Sequence, residues 1–394
     1  MQTSRRLVFF HSELDTLNLF SDQLKQEFEN LGYETFEFDL AQSALSLGLL
    51  YGFIQDGGVT AMIGFNMPFF GMQLPSGEKV WEVLDIPCIN ILVDHPYWYH
   101  NLLMRTPRTG IVLSIDRNHS HYVERFYPDI PCTGFLPHGG TPAHNPPKPV
   151  SERKIDVLYA GSLFADYAIS QKPDFSLFHF PAEQICKNSI DYLLAHPDNT
   201  IEAVIEEQLL RSGINLPDKE LRVFISSCVY IERVVSSYYR EKIVGSVAMA
   251  GIPLTIYGDG WAGCDWIDLP NVHYGGRISP EEVLTKMEDS KIILNTMPWF
   301  KAGSHERIFN AMLRSAVVVS ETSSYLEETL PAETWVSFKL SPKDLSVLPQ
   351  RISNLLSNNH AMQTTASAGY QHALTNHTWQ ARTQELHRDL LSLL

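Results

Sequence analysis

The sequence predicts an α/β protein of two Rossmann-like domains that face a cleft, and three observations lead to this prediction. The chain has 394 residues, more than one ordinary hydrophobic core holds, so two domains are expected. Short apolar runs alternate with helix-periodic segments in both halves, which is typical of parallel sheets covered by helices. A stretch with four prolines at 141–149 separates the halves and excludes helix or central strand.

The first predicted domain covers residues 1–148. Residues 7–10 form a predicted buried strand, and a helix follows because apolar residues recur at steps of three and four between Leu17 and Leu31. Gly32 is suited to end that helix. Four of the remaining predicted strands are 34–40, 59–64, 86–93 and 110–115, and the last is 132–136. Together they predict one parallel sheet.

The second predicted domain covers 149–378 and repeats the pattern. It opens with a buried strand at 155–162 that ends in a glycine turn, and a helical insertion of unassigned role follows at about 181–250. A terminal helix is predicted at 379–394. The remaining predicted strands are 254–258, 291–295 and 317–320. Ligands of open α/β sheets bind at the carboxyl ends of the strands, so the cleft is the expected site.

The net charge and the cysteine content limit the binding partners and the cellular compartment that we expect. The net charge of −15 repels phosphate backbones and anionic lipid, so nucleic acid and membrane surfaces are not expected partners. No apolar run approaches the roughly 18 residues of an integral membrane segment. The run at 7–10 is also too short for a signal peptide. Five scattered cysteines predict free thiols and a cytoplasmic protein.

The segment 299–321 is the richest in candidate chemistry, because it predicts a loop, a helix start and a buried strand. Ser304 is a suitable N-cap, and His305, Glu306 and Arg307 follow it. Free N–H groups and an arginine fork suit a diphosphate, and a carboxylate suits sugar hydroxyls. The alternative interpretation is a capped surface helix with a solvated charged turn.

Two strand ends in the second half carry glycine turns. Gly161 and Ser162 end one strand, and Tyr257, Gly258 and Asp259 end another. Glycine lets the backbone approach a ligand closely, although the same residues also form ordinary turns.

The first half offers candidates for acid–base chemistry and for stacking on a sugar. A buried strand leads to Asp94 and His95, which are candidate general bases, and Tyr97 and Trp98 follow as candidate acceptor contacts. Packing is the alternative for all of them. Further candidates at strand ends are His11 and His138, with Asp116, His119 and Tyr122 after another strand.

Several motifs are absent from the sequence. No G-x-G-x-x-G follows the first strand, and no phosphate-binding lysine loop occurs. There is no Asp-x-Asp pair to hold a divalent ion and no cysteine spacing typical of zinc. We therefore expect neither a bound cofactor nor a metal.

The set of segments in the second domain resembles that of GT-B glycosyltransferases, in particular the group related to the spore-maturation protein CgeB and the group 1 transferases. The order and spacing of the segments carry the resemblance more than any single one does. The matching segments are 159–162, 256–261, 274–277, 293–295, 304–312, 317–319 and 323–327.

This resemblance implies a nucleotide-sugar donor in the second domain and an acceptor in the first. It implies a ribose contact at the position of Asn310 and a helix end at Ser315. The family has an acidic residue where this chain has Ala302, so Glu306 is expected to take the role of that residue. The implied donor contacts are Gly161, Ser162, Tyr257, Gly258, Asp259, Arg277, Asn295, Ser304, His305, Glu306, Arg307 and Asn310.

Mechanism and acceptor stay open at this point. An inverting enzyme would take a base from His11, Asp94 or His95, whereas a retaining enzyme needs none. Because Asn310 and Ser315 depart from the group 1 pattern, a non-catalytic nucleotide-sugar-binding protein is an alternative, as is a nucleotide-sugar epimerase. The acceptor is a protein, a glycan or a small molecule.

Overall fold

A computed structural model describes residues 5–66, 68–74, 76–164 and 170–393. The chain divides into two compact units. The first contains Met1–Gly139 and Thr378–Leu394, and the second contains Gly140–His377. The proline-rich stretch at 141–149 therefore lies in the second unit, and the terminal helix lies in the first.

The first unit is built on a six-stranded parallel sheet in the order β2-β1-β3-β4-β5-β6. Its strands are β1 Arg6–His11, β2 Glu34–Asp39, β3 Ala61–Phe65, β4 Cys88–Leu92, β5 Gly110–Ser114 and β6 Cys132–Phe135. Its helices are α1 Asp15–Asn30, α2 Ser43–Gln55, α3 Val80–Leu84, α4 His100–Leu103, α5 Arg117–Phe126 and, at the end of the chain, α15 Trp379–Leu393.

The packing of this unit follows from its apolar pattern. Every residue of β3 and β4 is buried, as expected for central strands of a parallel sheet. Helix α1 buries Phe20 on its inner face, where the ring packs against Trp379 at the start of α15 with centroids 5.4 Å apart. Near the other end of α15, the Tyr33 hydroxyl lies 3.0 Å from His387 Nδ1. These contacts tie the terminal helix to the first unit.

The second unit is built on another six-stranded parallel sheet, in the order β12-β11-β10-β7-β8-β9. Its strands are β7 Ile155–Ala160, β8 Leu254–Tyr257, β9 Val272–Tyr274, β10 Ser290–Asn295, β11 Val317–Glu321 and β12 Val336–Phe338. Its helices are α6 Ala182–Ala195, α7 Ile201–Arg211, α8 Asp218–Ser227, α9 Tyr230–Met249, α10 Pro280–Glu288, α11 Glu306–Met312, α12 Ser324–Thr329, α13 Pro342–Leu356 and α14 Asn359–Asn376. Because each unit is built on a parallel sheet covered by helices, the structure confirms the predicted fold class.

Four of these helices, α6 to α9, lie between β7 and β8, although the two strands are neighbours in the sheet. Helix α9 is the most deeply buried of the four and carries polar side chains among its buried residues, Arg240 included. Within the described ranges, no helix has both the length and the apolar character that a membrane span requires.

Candidate functional site

The candidate site of the second unit lies at the carboxyl ends of β7, β8, β10 and β11. The loop 296–305 leads from β10 to α11 at the same edge of the sheet. Ligands of open parallel sheets bind at this edge.

Two glycine turns form a fixed backbone platform at the ends of β7 and β8. Gly258 has φ 130°, and a Cβ at this position would lie 2.5 Å from the carbonyl oxygen of Gly161. Gly161 N donates to Tyr257 O at 2.8 Å, and Asp259 N donates to Ser162 Oγ at 3.0 Å. The indole of Trp261 donates to Gly161 O at 2.8 Å. Only glycine fits at position 258, because a side chain there would meet the neighbouring turn.

Helix α11 begins one residue later than the sequence predicts. Its N-cap is His305 rather than Ser304, and the Nδ1 of His305 lies 3.3 Å from Arg307 N. The prediction of Ser304 as N-cap is therefore wrong. The Ser304 side chain is instead fully buried, and its Oγ has no hydrogen-bond partner among the residues described. Burial of a hydroxyl group without a hydrogen-bond partner costs free energy, and a ligand that bonds to the Ser304 hydroxyl would remove this cost.

A chain of hydrogen bonds fixes the turn at the start of α11. Glu306 Oε2 lies 2.6 Å from His305 Nδ1, and Arg307 Nη2 lies 3.1 Å from His305 Nε2. Arg307 Nη1 donates to Asn295 Oδ1 at 2.8 Å, and Asn295 Nδ2 donates to Ser320 Oγ at 2.9 Å. Burial, and next the charge of Arg307, lower the pKa of His305. The lowered pKa favours a neutral His305 ring, and the contact of this ring with Glu306 Oε2 holds the carboxylate in place.

Arg240 of α9 reaches the same edge of the sheet. Its Nη1 donates to Ser162 O at 2.7 Å, and its guanidinium lies over the Trp299 ring at 4.8 Å from the centroid. The side chain is 5% exposed, and its Nε has no acceptor among the residues described. Burial is the main cause that lowers the pKa of Arg240, and nearby Arg307 adds to it.

Arg240 and Arg307 are thus two neighbouring, nearly buried guanidinium groups. In the described part of the chain, neither forms a salt bridge with a carboxylate. Buried cations are normally paired, so this arrangement indicates an anion site. No local sequence pattern indicates a role for Arg240, which lies 78 residues from its partner Ser162.

Glu321, at the end of β11, holds the loop 296–305. Its Oε2 accepts a hydrogen bond from Met297 N at 3.0 Å, and its Oε1 lies 3.7 Å from Lys301 Nζ. Burial raises its pKa. Glu321 is therefore engaged within the protein, and its role is to position the loop.

Other predicted donor contacts in this unit differ in exposure. Asn310 is buried, and its Oδ1 accepts from Thr141 N at 2.8 Å, so that oxygen already serves the chain. Ser315 has φ 51°, the conformation that glycine usually supplies at a helix end. Arg277 and Asp259 are exposed, with Arg277 Nη1 4.0 Å from Asp259 Oδ2.

In the first unit, Asp94 follows β4 and is half-buried. Its Oδ2 accepts from Tyr99 OH at 2.7 Å and from Asn66 Nδ2 at 3.1 Å. The neighbouring His95 is 3% exposed, and its ring stacks on Tyr97 with centroids 3.8 Å apart. The two candidate bases therefore have different environments, and only Asp94 has access to solvent.

His11 is held between two carboxylates. Its Nε2 lies 2.8 Å from Asp22 Oδ1, and its Nδ1 lies 3.1 Å from Glu37 Oε1. These three side chains have the spacing of metal ligands, but Lys25 Nζ lies 2.6 Å from Glu37 and supplies a cation there. Both ring nitrogens are thus engaged within the first unit.

The predicted acceptor contacts are largely packed against other rings. His138 is 3% exposed and lies against Phe20, with centroids 5.2 Å apart. Tyr97 is buried beside His95, and Trp98 is half-buried. This burial favours packing roles for His138 and Tyr97, and their contact with an acceptor stays a prediction.

The comparisons with known proteins agree with this fold. Residues 240–388 match the family model described as glycosyl transferase-like. No curated protein matches the sequence. Among solved structures, sucrose-phosphate synthase from Thermosynechococcus elongatus is similar, with 12% identity, TM-score 0.53, and coverage of 99% of this chain and 100% of that chain.

Two further structures are similar over nearly the whole chain. HepE from Anabaena, solved with UDP-glucose, has 12% identity and TM-score 0.53, and the alignment covers 98% of this chain and 99% of the HepE chain. An α-glucosyltransferase solved with UDP and DNA has 14% identity and TM-score 0.54, with the same coverage. The fold is GT-B. In addition, residues 240–388 are similar to the glycosyl transferase-like family. The finer resemblance to the CgeB group stays a prediction.

Proposed function

We propose that the chain transfers a sugar from a nucleotide-sugar donor, held by the second unit without a bound metal, to a protein, glycan or small-molecule acceptor. The observation that carries this proposal is the pair Arg240 and Arg307. Both guanidinium groups are nearly buried, lie close to one another and lack a carboxylate partner among the residues described.

A diphosphate is the ligand that this pair suits best. Each arginine offers a planar fork of donors to phosphate oxygens, and charge-assisted hydrogen bonds of this kind are strong. As the glycosidic bond of the donor breaks, negative charge develops on the leaving diphosphate. Two fixed cations in a site of low dielectric stabilise that charge. The buried Ser304 hydroxyl adds a further donor.

The positive charges of Arg240 and Arg307 also support transfer without a bound metal. Among the carboxylates nearest the site, Glu321 is bound to Met297 N and Lys301, and Glu306 contacts His305. The arginine pair takes over the neutralising role that a divalent ion has in other transferases.

We assign the donor sugar to Glu306, and the nucleoside to the glycine turns around Gly258. The His305 contact supports the first assignment, because it fixes a carboxylate that accepts hydrogen bonds from sugar hydroxyls. UDP-glucose is the first donor to test, since HepE was solved with it and the α-glucosyltransferase was solved with UDP.

For an inverting reaction, we propose Asp94 as the base that deprotonates the acceptor hydroxyl. Tyr99 and Asn66 orient one carboxylate oxygen, and the side chain is half-buried. His95 is buried, and His11 is held by two carboxylates, so both suit this role less well. A retaining reaction would need no such base.

Calorimetric titration tests the donor site. We expect UDP and UDP-glucose to bind with similar affinity and UMP to bind far more weakly, with or without EDTA, because the arginine pair recognises a diphosphate. Arg307→Met should abolish this difference between UDP and UMP. Arg211→Met is the control, because Arg211 is an exposed residue of α7, paired with Glu207. Equal affinity of the native protein for UDP and UMP would refute the proposed phosphate contacts.

Release of UDP from UDP-glucose, measured with candidate acceptors, tests the transfer itself. Turnover that needs an acceptor and persists in EDTA supports the proposal. Turnover that stops in EDTA and returns with a divalent ion would overturn the metal-independent mechanism.

A further inference from the structure

Two cysteines of the helical insertion lie in direct contact. Cys186 belongs to α6, and Cys228 lies in the turn between α8 and α9. Their Sγ atoms are 3.3 Å apart, and both side chains are buried. The two residues are 42 positions apart in the chain. Neither takes part in the proposed transfer, so this pair of thiols needs another explanation.

The geometry favours a covalent link. A disulfide has a bond length of about 2.05 Å, so the sulfurs need to approach by little more than about 1 Å. One partner lies in a turn at the start of α9, where the backbone adjusts more easily than within a helix. A link at this place would join α6 to the α8–α9 turn and close a long loop of the chain.

A cavity gives small molecules a path toward the pair. It has a volume of about 540 Å³, and Ala182, Glu183, Lys187 and Tyr230 are among its lining residues. Tyr230 is also one of the groups that lower the pKa of Cys186. Cys186 therefore lies directly behind a wall of this cavity, within reach of a small oxidant after a local opening.

We propose that Cys186 and Cys228 are an oxidation site that forms a reversible disulfide when the protein meets hydrogen peroxide. The sulfur of Cys186 attacks one peroxide oxygen, so that an S–O bond forms and the O–O bond breaks. With the thiol proton transferred, one water leaves. The sulfur of Cys228 then attacks the sulfenic acid, the S–S bond forms, the S–O bond breaks and a second water leaves. Two thiols are oxidised and one peroxide is reduced to two waters.

The environments of the two thiols set the order of these steps. Hydrogen bonds from Cys228 and then Tyr230 lower the pKa of Cys186, whereas burial raises the pKa of Cys228. Cys186 is therefore the better first nucleophile, and Cys228 resolves the intermediate.

The test uses the full chain with the exposed thiol removed, Cys132→Ser, so that links between molecules do not form there. The folded protein is treated with hydrogen peroxide, free thiols are alkylated, and the peptides are analysed by mass spectrometry. We expect one linked peptide pair that joins positions 186 and 228, lost on treatment with dithiothreitol. Adding Cys88→Ser, which removes another buried thiol, should leave the link intact.

The melting temperature is the second readout. A link formed in the native structure restricts the unfolded chain and should raise the Tm by several degrees, with circular dichroism unchanged. A link that forms only in denaturant, or a Tm that falls on oxidation, would overturn the proposal. The experiment involves no donor or acceptor, so its failure is distinct from a failure of the proposed function.

Discussion

Replacement of Arg240 by methionine separates a binding role from a structural one. Methionine keeps an unbranched apolar side chain next to Trp299 but removes the charge and all the guanidinium donors. The protein itself uses few of these donors, since Nη1 binds Ser162 O and Nε has no acceptor among the residues described. We therefore expect a large loss of ligand affinity and little change in the stability of the free protein.

The magnitude for binding follows from the donors that the variant loses. A hydrogen bond to a charged group contributes about 1.5–3 kcal/mol, and removal of a nearly buried cation belongs at the upper part of that range. A loss of about 2–3 kcal/mol corresponds to a roughly 30- to 150-fold higher Kd for UDP. The free protein loses one hydrogen bond but is relieved of a buried charge without a carboxylate partner, so its Tm should change by no more than about 3 °C.

Calorimetry with UDP and a melting curve of the free protein measure the two effects. Arg211→Met again serves as the control for loss of one positive charge in the same unit, and it should leave the Kd unchanged. An Arg240→Met variant that binds UDP within about three-fold of the native Kd would refute the anion site. A folded variant with a Tm lowered by more than about 8 °C would show that Arg240 acts mainly in the structure.

Three other substitutions test separate parts of the account. Asp94→Asn should lower the rate of transfer at least about 100-fold while donor affinity stays the same, because an amide cannot act as the base; unchanged turnover in a UDP-release assay argues for another base or a retaining mechanism. Gly258→Ala should lower the free energy of unfolding by about 1–3 kcal/mol, because its Cβ would lie 2.5 Å from Gly161 O at φ 130°. Gly263→Ala, where nothing lies within 4 Å, is the control in the same denaturation assay, and equal losses would refute the steric argument. Burial, and then the charge of a neighbouring histidine, keep the pKa of His119 well below 6.5, so the unfolded chain gains a proton below pH 6.5 that the native state does not bind. The free energy of unfolding should therefore decrease as the pH is lowered below 6.5, by up to about 1.4 kcal/mol per pH unit. The variant His119→Gln should flatten this dependence in urea titrations, and an unchanged slope would contradict the prediction.

Local patterns were sufficient to predict the sheets. The apolar steps of α1 and the buried runs of β3 and β4 follow directly from helix and strand periodicity. The turn at Gly258 could also be predicted, because a glycine after a strand indicates close backbone approach. The pattern that predicts each of these features lies in neighbouring residues, although the partner of Gly258 in the structure is the distant Gly161.

The parts that the sequence did not predict depend on distant contacts. Arg240 lies within a long helix of the insertion, and no local signal distinguishes it from a solvated arginine. Its role is visible only when α9 packs beside Ser162, far away in sequence. Similarly, the side chains of Ser304 and His305 are both able to cap a helix, and only the structure shows that His305 is at the N-cap position.

The most direct test of a metal-independent donor site is a thermal-shift screen with UDP-, GDP-, dTDP- and CDP-sugars, each with and without EDTA. A ligand that binds only the folded state raises its Tm by mass action. We predict that one nucleotide family raises the Tm, that EDTA does not change the shift, and that Arg240→Met removes most of it. The absence of any shift, or a shift that EDTA abolishes, would contradict the central claim.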